Sequence, residues 1–278
     1  MNANLKLLIQ ACNELDVAYK TYHSTHNVVE LSFNKKSFLF INWTTPLNPQ
    51  SVVQLCVDKE FFYCFFHNAI NLPRTVGFLN PDCDEKYLKY LEAKSYQEIA
   101  NAIESKFQYP LIVKKNRGSL GAHVFKADDR NSLLCSITSI FDMNSKKPDY
   151  VALAQDYIEI KTEYRAIYLN GSLVFAYEKD IENAIYEGNL SPLHWNGAKA
   201  VLVADKYLLT EIDQFCSTLF NKMVIPFCGL DVAVDNNGVW WLIEANSSPG
   251  FEHIVKHAGD NAVIKMYKEM IMFLIESC

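Results

Sequence analysis

Three side chains near the C-terminus, Asp231, Glu244 and Asn246, have the types and spacing to hold a hard cation. They fall in the run Gly229-Leu-Asp-Val-Ala-Val-Asp-Asn-Asn-Gly-Val-Trp-Trp-Leu-Ile-Glu-Ala-Asn246. Apolar segments at 229–234 and 239–245 flank Asp235-Asn-Asn-Gly238, which predicts a hairpin. Strand side chains alternate, so positions 244 and 246 share a face, and folding about 236–237 brings position 231 near 242–244. Two carboxylates and an amide oxygen among Val232, Val234, Leu242 and Ile243 would repel and lose hydration as bare groups. A divalent cation removes the conflict, and an oxygen-only set suits Mg2+, which also recruits phosphate oxygens. A solvated acidic face on an ordinary hairpin also accounts for the spacing.

A second set is basic. The run Leu111-Ile-Val-Lys-Lys-Asn-Arg-Gly-Ser-Leu-Gly-Ala-His-Val124 puts Lys114 at the end of an apolar strand, followed by a loop with Gly118, Ser119 and Gly121. Small residues let backbone amides approach phosphate oxygens, and a lysine adds a point charge. Neither the G-x-x-x-x-G-K-[ST] loop nor the G-x-G-x-x-G fingerprint is present, and a plain turn with two exposed lysines fits too. Arg165 and Lys179 stand on later strand-like segments, either as solvated faces or as the basic half of a nucleotide–metal–carboxylate site.

These residues need elements to position them. Helical spacing covers residues 3–15, 58–71, 208–223 and 261–275, and Ser95-Tyr-Gln-Glu98 is a capping box opening another helix toward Phe107. Residues 28–43 read as a hairpin turning at Asn34-Lys-Lys36. Three strands are expected at 150–158, 164–169 and 173–177, with Asn170-Gly171 as the turn between the last two. Helices alternating with antiparallel hairpins predict an α+β fold, with a lobe boundary near the turn-rich residues 80–95.

Length and composition limit the function. The 278 residues allow one large domain or two smaller ones, and 50% hydrophobic with 21% charged residues is ordinary globular composition. A net charge of −6 argues against a nucleic-acid partner. No basic leader with a long apolar run opens the chain, and no apolar run reaches membrane-spanning length, so a cytoplasmic protein without membrane contact is expected. The eight cysteines are scattered without a C-x-x-C pair and read as buried or incidental thiols.

Taken together, the segments from about residue 58 to 251 resemble the ATP-grasp superfamily. They are most similar to the branch of the ribosomal-protein glutamate ligase, glutathione synthetase and cyanophycin synthetase. The most specific parts are Gly229-Leu-Asp231 and Leu242-Ile-Glu-Ala-Asn-Ser-Ser-Pro-Gly-Phe251. The resemblance implies two α/β lobes holding ATP between antiparallel sheets. It implies that Asp231, Glu244 and Asn246 hold two Mg2+ ions, which Mn2+ can replace. Lys114 and the Gly118-Ser-Leu-Gly121 loop look like the second ATP lysine and the phosphate-covering loop. Lys59, ahead of Ile70-Asn-Leu-Pro-Arg-Thr75, matches the first ATP lysine. Gln155, Asp156, Tyr157 and Ile158 resemble the adenine linker, Glu163 falls where an acidic residue meets the ribose, and Arg165 resembles the arginine facing substrate or phosphates. Lys179 stands where the family more often has arginine, giving charge without a bidentate fork. The implied domains are a shortened N-terminal region at 1–80, a small lobe at 81–160, and a large metal-bearing lobe at 161–278.

The reaction so implied is ADP-forming C–N ligation. A substrate carboxylate becomes an acyl phosphate, and an amine displaces phosphate to give an amide. Partners are then small molecules or peptides carrying the carboxylate and the amine, with a homo-oligomer possible because related enzymes are often dimers or tetramers. A small-molecule kinase on the same fold and a non-catalytic ATP-binding module are the competing readings. His194, Trp195, His253 and His257 lie in segments that could line the acceptor side.

Overall fold

The computed structural model describes residues 1–118, 121–145 and 148–277. The chain begins with α1 (Ala3–Glu14), where the Asn2 side chain accepts a hydrogen bond from the Leu5 amide at 2.9 Å. Strands β1 (Tyr19–Tyr22), β2 (Val28–Phe33) and β3 (Lys36–Ile41) form a three-stranded antiparallel sheet. The β2–β3 turn is the expected one, with Asn34 and Lys35 both at positive φ (47° and 66°), as a two-residue hairpin loop requires. Strand β1 gives little sequence signal, because its residues are mostly exposed and it pairs along one edge only.

The helix expected over 58–71 is present but shorter, and a helix that the spacing did not predict precedes it. α2 (Gln50–Val57) stops and α3 (Lys59–Phe66) starts at Asp58, whose backbone is extended (φ −93°, ψ 100°). The Asp58 carboxylate accepts from the Phe61 amide at 3.0 Å. A short acidic side chain satisfies free amides at a helix start and competes with the backbone inside one, so the chain breaks here. The break makes Lys59 the first residue of α3.

The middle of the chain supplies β4 (Thr75–Leu79), α4 (Tyr96–Glu104), β5 (Leu111–Lys115), β6 (Val124–Ala127), α5 (Arg130–Phe141) and β7 (Val151–Asp156). Its strands pair antiparallel in the order β4-β7-β5-β6. Ser95 caps α4 by accepting from the Glu98 amide at 3.2 Å. Ile99 and Ile103 of α4, Leu133 and Ile137 of α5, and Leu111 and Val113 of the sheet close a separate core.

The third sheet contains β8 (Ile160–Leu169), β9 (Ser172–Asp180), β10 (Lys199–Leu202), β11 (Phe227–Asp235) and β12 (Trp240–Asn246), in the antiparallel order β10-β9-β8-β11-β12. Helix α6 (Lys206–Lys222) covers one face with α2 and α3, packing Ile212, Cys216, Leu219, Phe62 and Phe66 against Tyr168, Leu230, Val232 and Leu242. The opposite face meets α7 (Glu252–Ala258), α8 (Asn261–Glu276), α1 and the N-terminal sheet. There Leu5, Leu8, Val29, Leu31, Met270 and Ile271 surround Ile167 and Phe227. The Asn4 amide donates to the Pro249 carbonyl at 3.0 Å, and Asn4 Oδ1 accepts from the Phe251 amide at 3.4 Å, fixing the segment after β12. An α+β architecture of antiparallel sheets is what the sequence predicts. No helix among the described residues is long and apolar enough to cross a membrane.

Candidate active site

Strand alternation sets the site's first row. On the face shared by Ile167 and Phe227, the middles of β8 and β11 carry Arg165 and Asp231. Asp231 lies opposite Arg165 on one side and opposite Glu244 of β12 on the other. A register shift follows directly after Asp231, so the pair at 231 and 244 sits at an irregularity in the ladder. Gly229 makes room beside it: a Cβ there would stand 3.1 Å from Pro249 and 3.2 Å from Ile167, so the Ser247-Ser-Pro249 segment could not lie as close.

Asp231 is the hub of a buried charge network. Arg165 holds it in a fork, Nε to Oδ1 at 2.5 Å and the terminal nitrogen to Oδ2 at 2.7 Å. Lys179 Nζ donates to Asp231 Oδ2 at 3.0 Å and also pairs with Glu163. Burial pushes the Asp231 carboxyl up, but Arg165 and Lys179 outweigh it and hold the pKa down at about 2. Burial raises the Glu163 pKa against the pull of Lys179, and Asp231 adds to the rise. Lys179 is raised: burial lowers it, and Asp231 with Glu163 more than reverses this. Lys179, expected to face substrate, is only 3% exposed on its side chain and is spent on the two carboxylates. Glu163, which the resemblance sets at a ribose, is buried in the same network.

The second row crosses between sheets. Lys59 Nζ lies 3.2 Å from Glu244 Oε1 and donates to the Gly118 carbonyl at 2.8 Å. Lys114, fully buried on β5, donates to Gln155 Oε1 at 2.8 Å. Gln155 in turn donates to Thr75 Oγ1 at 2.8 Å. Burial, and after it the Lys59 charge, lower the Lys114 pKa to about 8 against the pull of Glu244. Asp156 pairs with Arg74 at 2.9 Å, and the exposed Tyr157 ring lies under Lys126, so these two side chains are occupied outside the row. Half-buried Ile158 continues the connection to β8. Ser119 lies outside the described residues. At Gly121 φ is +67°, and a Cβ would stand 2.1 Å from Asn189 Oδ1, so the loop after β5 touches the β9–β10 connection only because this residue is glycine.

The structure therefore brings Lys59, Gly118 and Glu244 together, and Glu163, Arg165, Lys179 and Asp231 together, with the Asp231–Glu244 strand pair joining the two groups. Sequence reasoning missed Thr75 as the support of Gln155, and Asn116, whose Oδ1 accepts from the Glu60 amide at 3.0 Å at the start of α3. Both sit inside runs quoted for neighbouring residues, and nothing in their spacing marks them.

The donor set fits a hard cation. Three hydrogen bonds occupy Asp231, leaving a lone-pair direction on Oδ1, and Glu244 is held through Oε1. Asn246 Nδ2 is buried without a partner, and turning the amide over puts its carbonyl oxygen in that position. Among the described residues no group of three His, Cys, Asp or Glu could hold a metal, so two carboxylates and an amide is the set on offer.

Residues 86–270 match the family described as "RimK-like ATP-grasp domain". The chain belongs to the RimK-like ATP-grasp family. The matched range takes in Lys114, Arg165, Asp231, Glu244 and Asn246, and Lys59 reaches this RimK-like site from outside it. The probable alpha-L-glutamate ligase of Legionella pneumophila is 26% identical over 159 residues, 56% of this chain and 48% of that protein. The chain spans about half the length of the curated relatives it matches. The bifunctional glutathione synthetase from Pasteurella multocida superposes with TM-score 0.57 at 13% identity, over 97% of this chain and 44% of that one. D-alanine–D-alanine ligase from Bacillus anthracis gives TM-score 0.57 at 15% identity, over 83% and 72%. These structural likenesses establish an ATP-grasp fold.

Proposed function

We propose that this chain is an ATP-dependent carboxylate–amine ligase, forming an amide or peptide bond on an amino acid or peptide and releasing ADP and phosphate. The observation that carries the reading is the convergence of Lys59, Gly118 and Glu244, from three separate segments, beside the Asp231 hub. In this reading residues 81–160 and 161–278 are the two walls of the nucleotide cleft, and 1–80 contributes Lys59. Lys59 and Lys114 neutralise the phosphates, the backbone of 155–158 meets the base, and the loop at 118–121 covers the triphosphate.

Asp231, Glu244 and Asn246 would hold two Mg2+ ions, which would supply positive charge to neutralise the phosphates. Lys59 leaves Glu244 for the phosphates as the site loads. Arg165, fixed by Asp231, presents its remaining N–H groups to the donor carboxylate. That carboxylate attacks the γ-phosphorus, and the bond to ADP breaks. The amine then adds to the acyl carbon and phosphate leaves. The chain's part is positioning and charge stabilisation rather than covalent chemistry.

The test is a screen of ADP and phosphate release with amino acids and short peptides, singly and in pairs, read out by product mass and by hydroxylamine trapping. Donor-dependent ADP together with a hydroxamate is expected, and Glu244→Ala should abolish both. A phosphorylated hydroxyl product without hydroxamate moves the reading to a small-molecule kinase. Nucleotide binding without turnover across the whole panel moves it to a binding module.

A further inference from the structure

Ligation leaves one proton to be removed. An amine that adds to an acyl phosphate carries an extra hydrogen once the C–N bond has formed, and a base near the acyl carbon speeds collapse to the amide. In the ligase reading Lys59 and Lys114 are taken up by the phosphates, and Asp231, Glu244 and Asn246 by the metal ions. Across the sheet, Glu244, Asp231 and Arg165 follow one another on β12, β11 and β8, and beyond Arg165 lie β9 and β10. Three imidazoles stand over that far side. His253 and His257 lie one turn apart on α7 with ring centroids 6.4 Å apart. His194, closing the short 3-10 helix Pro192–His194, meets the His253 ring edge-on at 5.7 Å. His257 anchors the group to β10 by accepting from the Ala200 amide at 3.0 Å through Nδ1.

The three rings are not equivalent. His257 has a nitrogen committed to backbone. His253 is half-buried, and among the described residues neither of its ring nitrogens has a hydrogen-bond partner. Burial, then His194 and His257, lower its pKa, and the Arg165 charge reaches it with the same sign. Glu252 on the same helix pulls the other way, with its carboxylate held by the Trp43 indole at 3.1 Å. A neutral imidazole on α7, over the β9–β10 side of the sheet that carries Arg165, is in the state a proton acceptor needs.

We propose that His253 is the general base for the acceptor amine. The assignment rests on the ligase reading above and deepens it. The amine lone pair adds to the acyl carbon while the carbonyl π pair moves onto oxygen. His253 takes one N–H proton. The oxyanion pair re-forms the carbonyl as the C–O bond to phosphate breaks with its electrons. Phosphate gains a proton from solvent, and the imidazolium returns its own to solvent.

The experiment compares wild type with His253→Gln, using the donor found in the screen and either hydroxylamine or the matching amine as acceptor. Hydroxylamine is largely unprotonated at neutral pH and strongly nucleophilic, so it needs no base. H253Q should keep hydroxamate formation within about two-fold while amide formation falls by about 10²–10⁴-fold. The acidic limb of the amide-forming pH profile should pass to that of the free amine. His194→Gln and His257→Gln serve as controls, and thermal unfolding of H253Q and of His253→Asn reports on the fold. Equal loss in both reactions, or no loss in amide formation, overturns the assignment of His253. A wild type that yields neither hydroxamate nor donor-dependent ADP takes away the ligase reading and the assignment with it.

Discussion

Glu163, Arg165, Lys179 and Asp231 carry two positive and two negative charges and bond one another on one sheet. Lys59 and Lys114 share a single carboxylate, Glu244, across two sheets, and Lys114 has only a neutral amide as its direct partner. The first group is electrically complete as it stands. The second holds surplus positive charge, which burial makes costly until an anion arrives. The contrast separates a scaffold that fixes geometry from a group with charge to spare, and in the proposed reading the triphosphate belongs at the lysine end.

The sharpest way to break this comparison uses its two carboxylates, Asp231 and Glu244, which face each other yet belong to different groups. Asp231→Ala strands Arg165 and leaves Lys179 with Glu163 alone, so stability should drop by about 3–5 kcal/mol, and turnover should vanish. Glu244→Ala opens a pair whose side chains are 15% and 27% exposed, so it should cost only about 0–1 kcal/mol while turnover vanishes equally. Urea unfolding and ADP release, measured on both variants, check this. Similar stability losses in the two would erase the distinction between the scaffold and the lysine end.

The same division governs what the sequence could reveal. The hairpin turns at Asn34-Lys35 and Asn170-Gly171 are legible because positive φ selects those residue types locally. Alternation plus the turn at Asp235-Asn-Asn-Gly238 was enough to bring Asp231 to Glu244, although the register shift beside them was not readable. What spacing could not show is who neutralises whom. Arg165 and Lys179 reach Asp231 because β8 lies between β9 and β11, a pairing order set by the whole sheet rather than by neighbours in the chain. Lys59 was visible only through resemblance, since its contact with Glu244 spans most of the chain. The helix start at Asp58 was legible, whereas α2 before it was not, because eight residues with two buried positions are too few to fix a helical period.

A smaller effect comes from inside the scaffold. Lys179→Met leaves Glu163 buried without its cation, while Asp231 keeps Arg165. A loss of about 3 kcal/mol is expected, at the low end for breaking a buried pair. Adding Glu163→Gln should return part of it, with a coupling of about 1–3 kcal/mol in a double-mutant cycle by denaturant unfolding. Strict additivity would mean that the two side chains do not depend on one another, and the charge balance drawn above would fail.

The finest test is a titration of the lysine end. Lys114 has its pKa lowered from 10.5 to about 8, so between those values the unfolded chain binds a proton that the folded chain does not. Stability from this group therefore rises with pH across that window, because the burial penalty on the charged form is being relieved. Nucleotide binding should run the other way. A bound triphosphate favours charged Lys114, so affinity for MgADP or a non-hydrolysable MgATP analogue should fall above pH 8, approaching about tenfold per pH unit. Calorimetric titrations in buffers of different ionisation enthalpy should register proton uptake near pH 8 to 9, and Lys114→Met should remove both the uptake and the opposing slope in stability. Affinity that stays level from pH 7 to 10, with no proton taken up, would mean that Lys114 does not meet the phosphates.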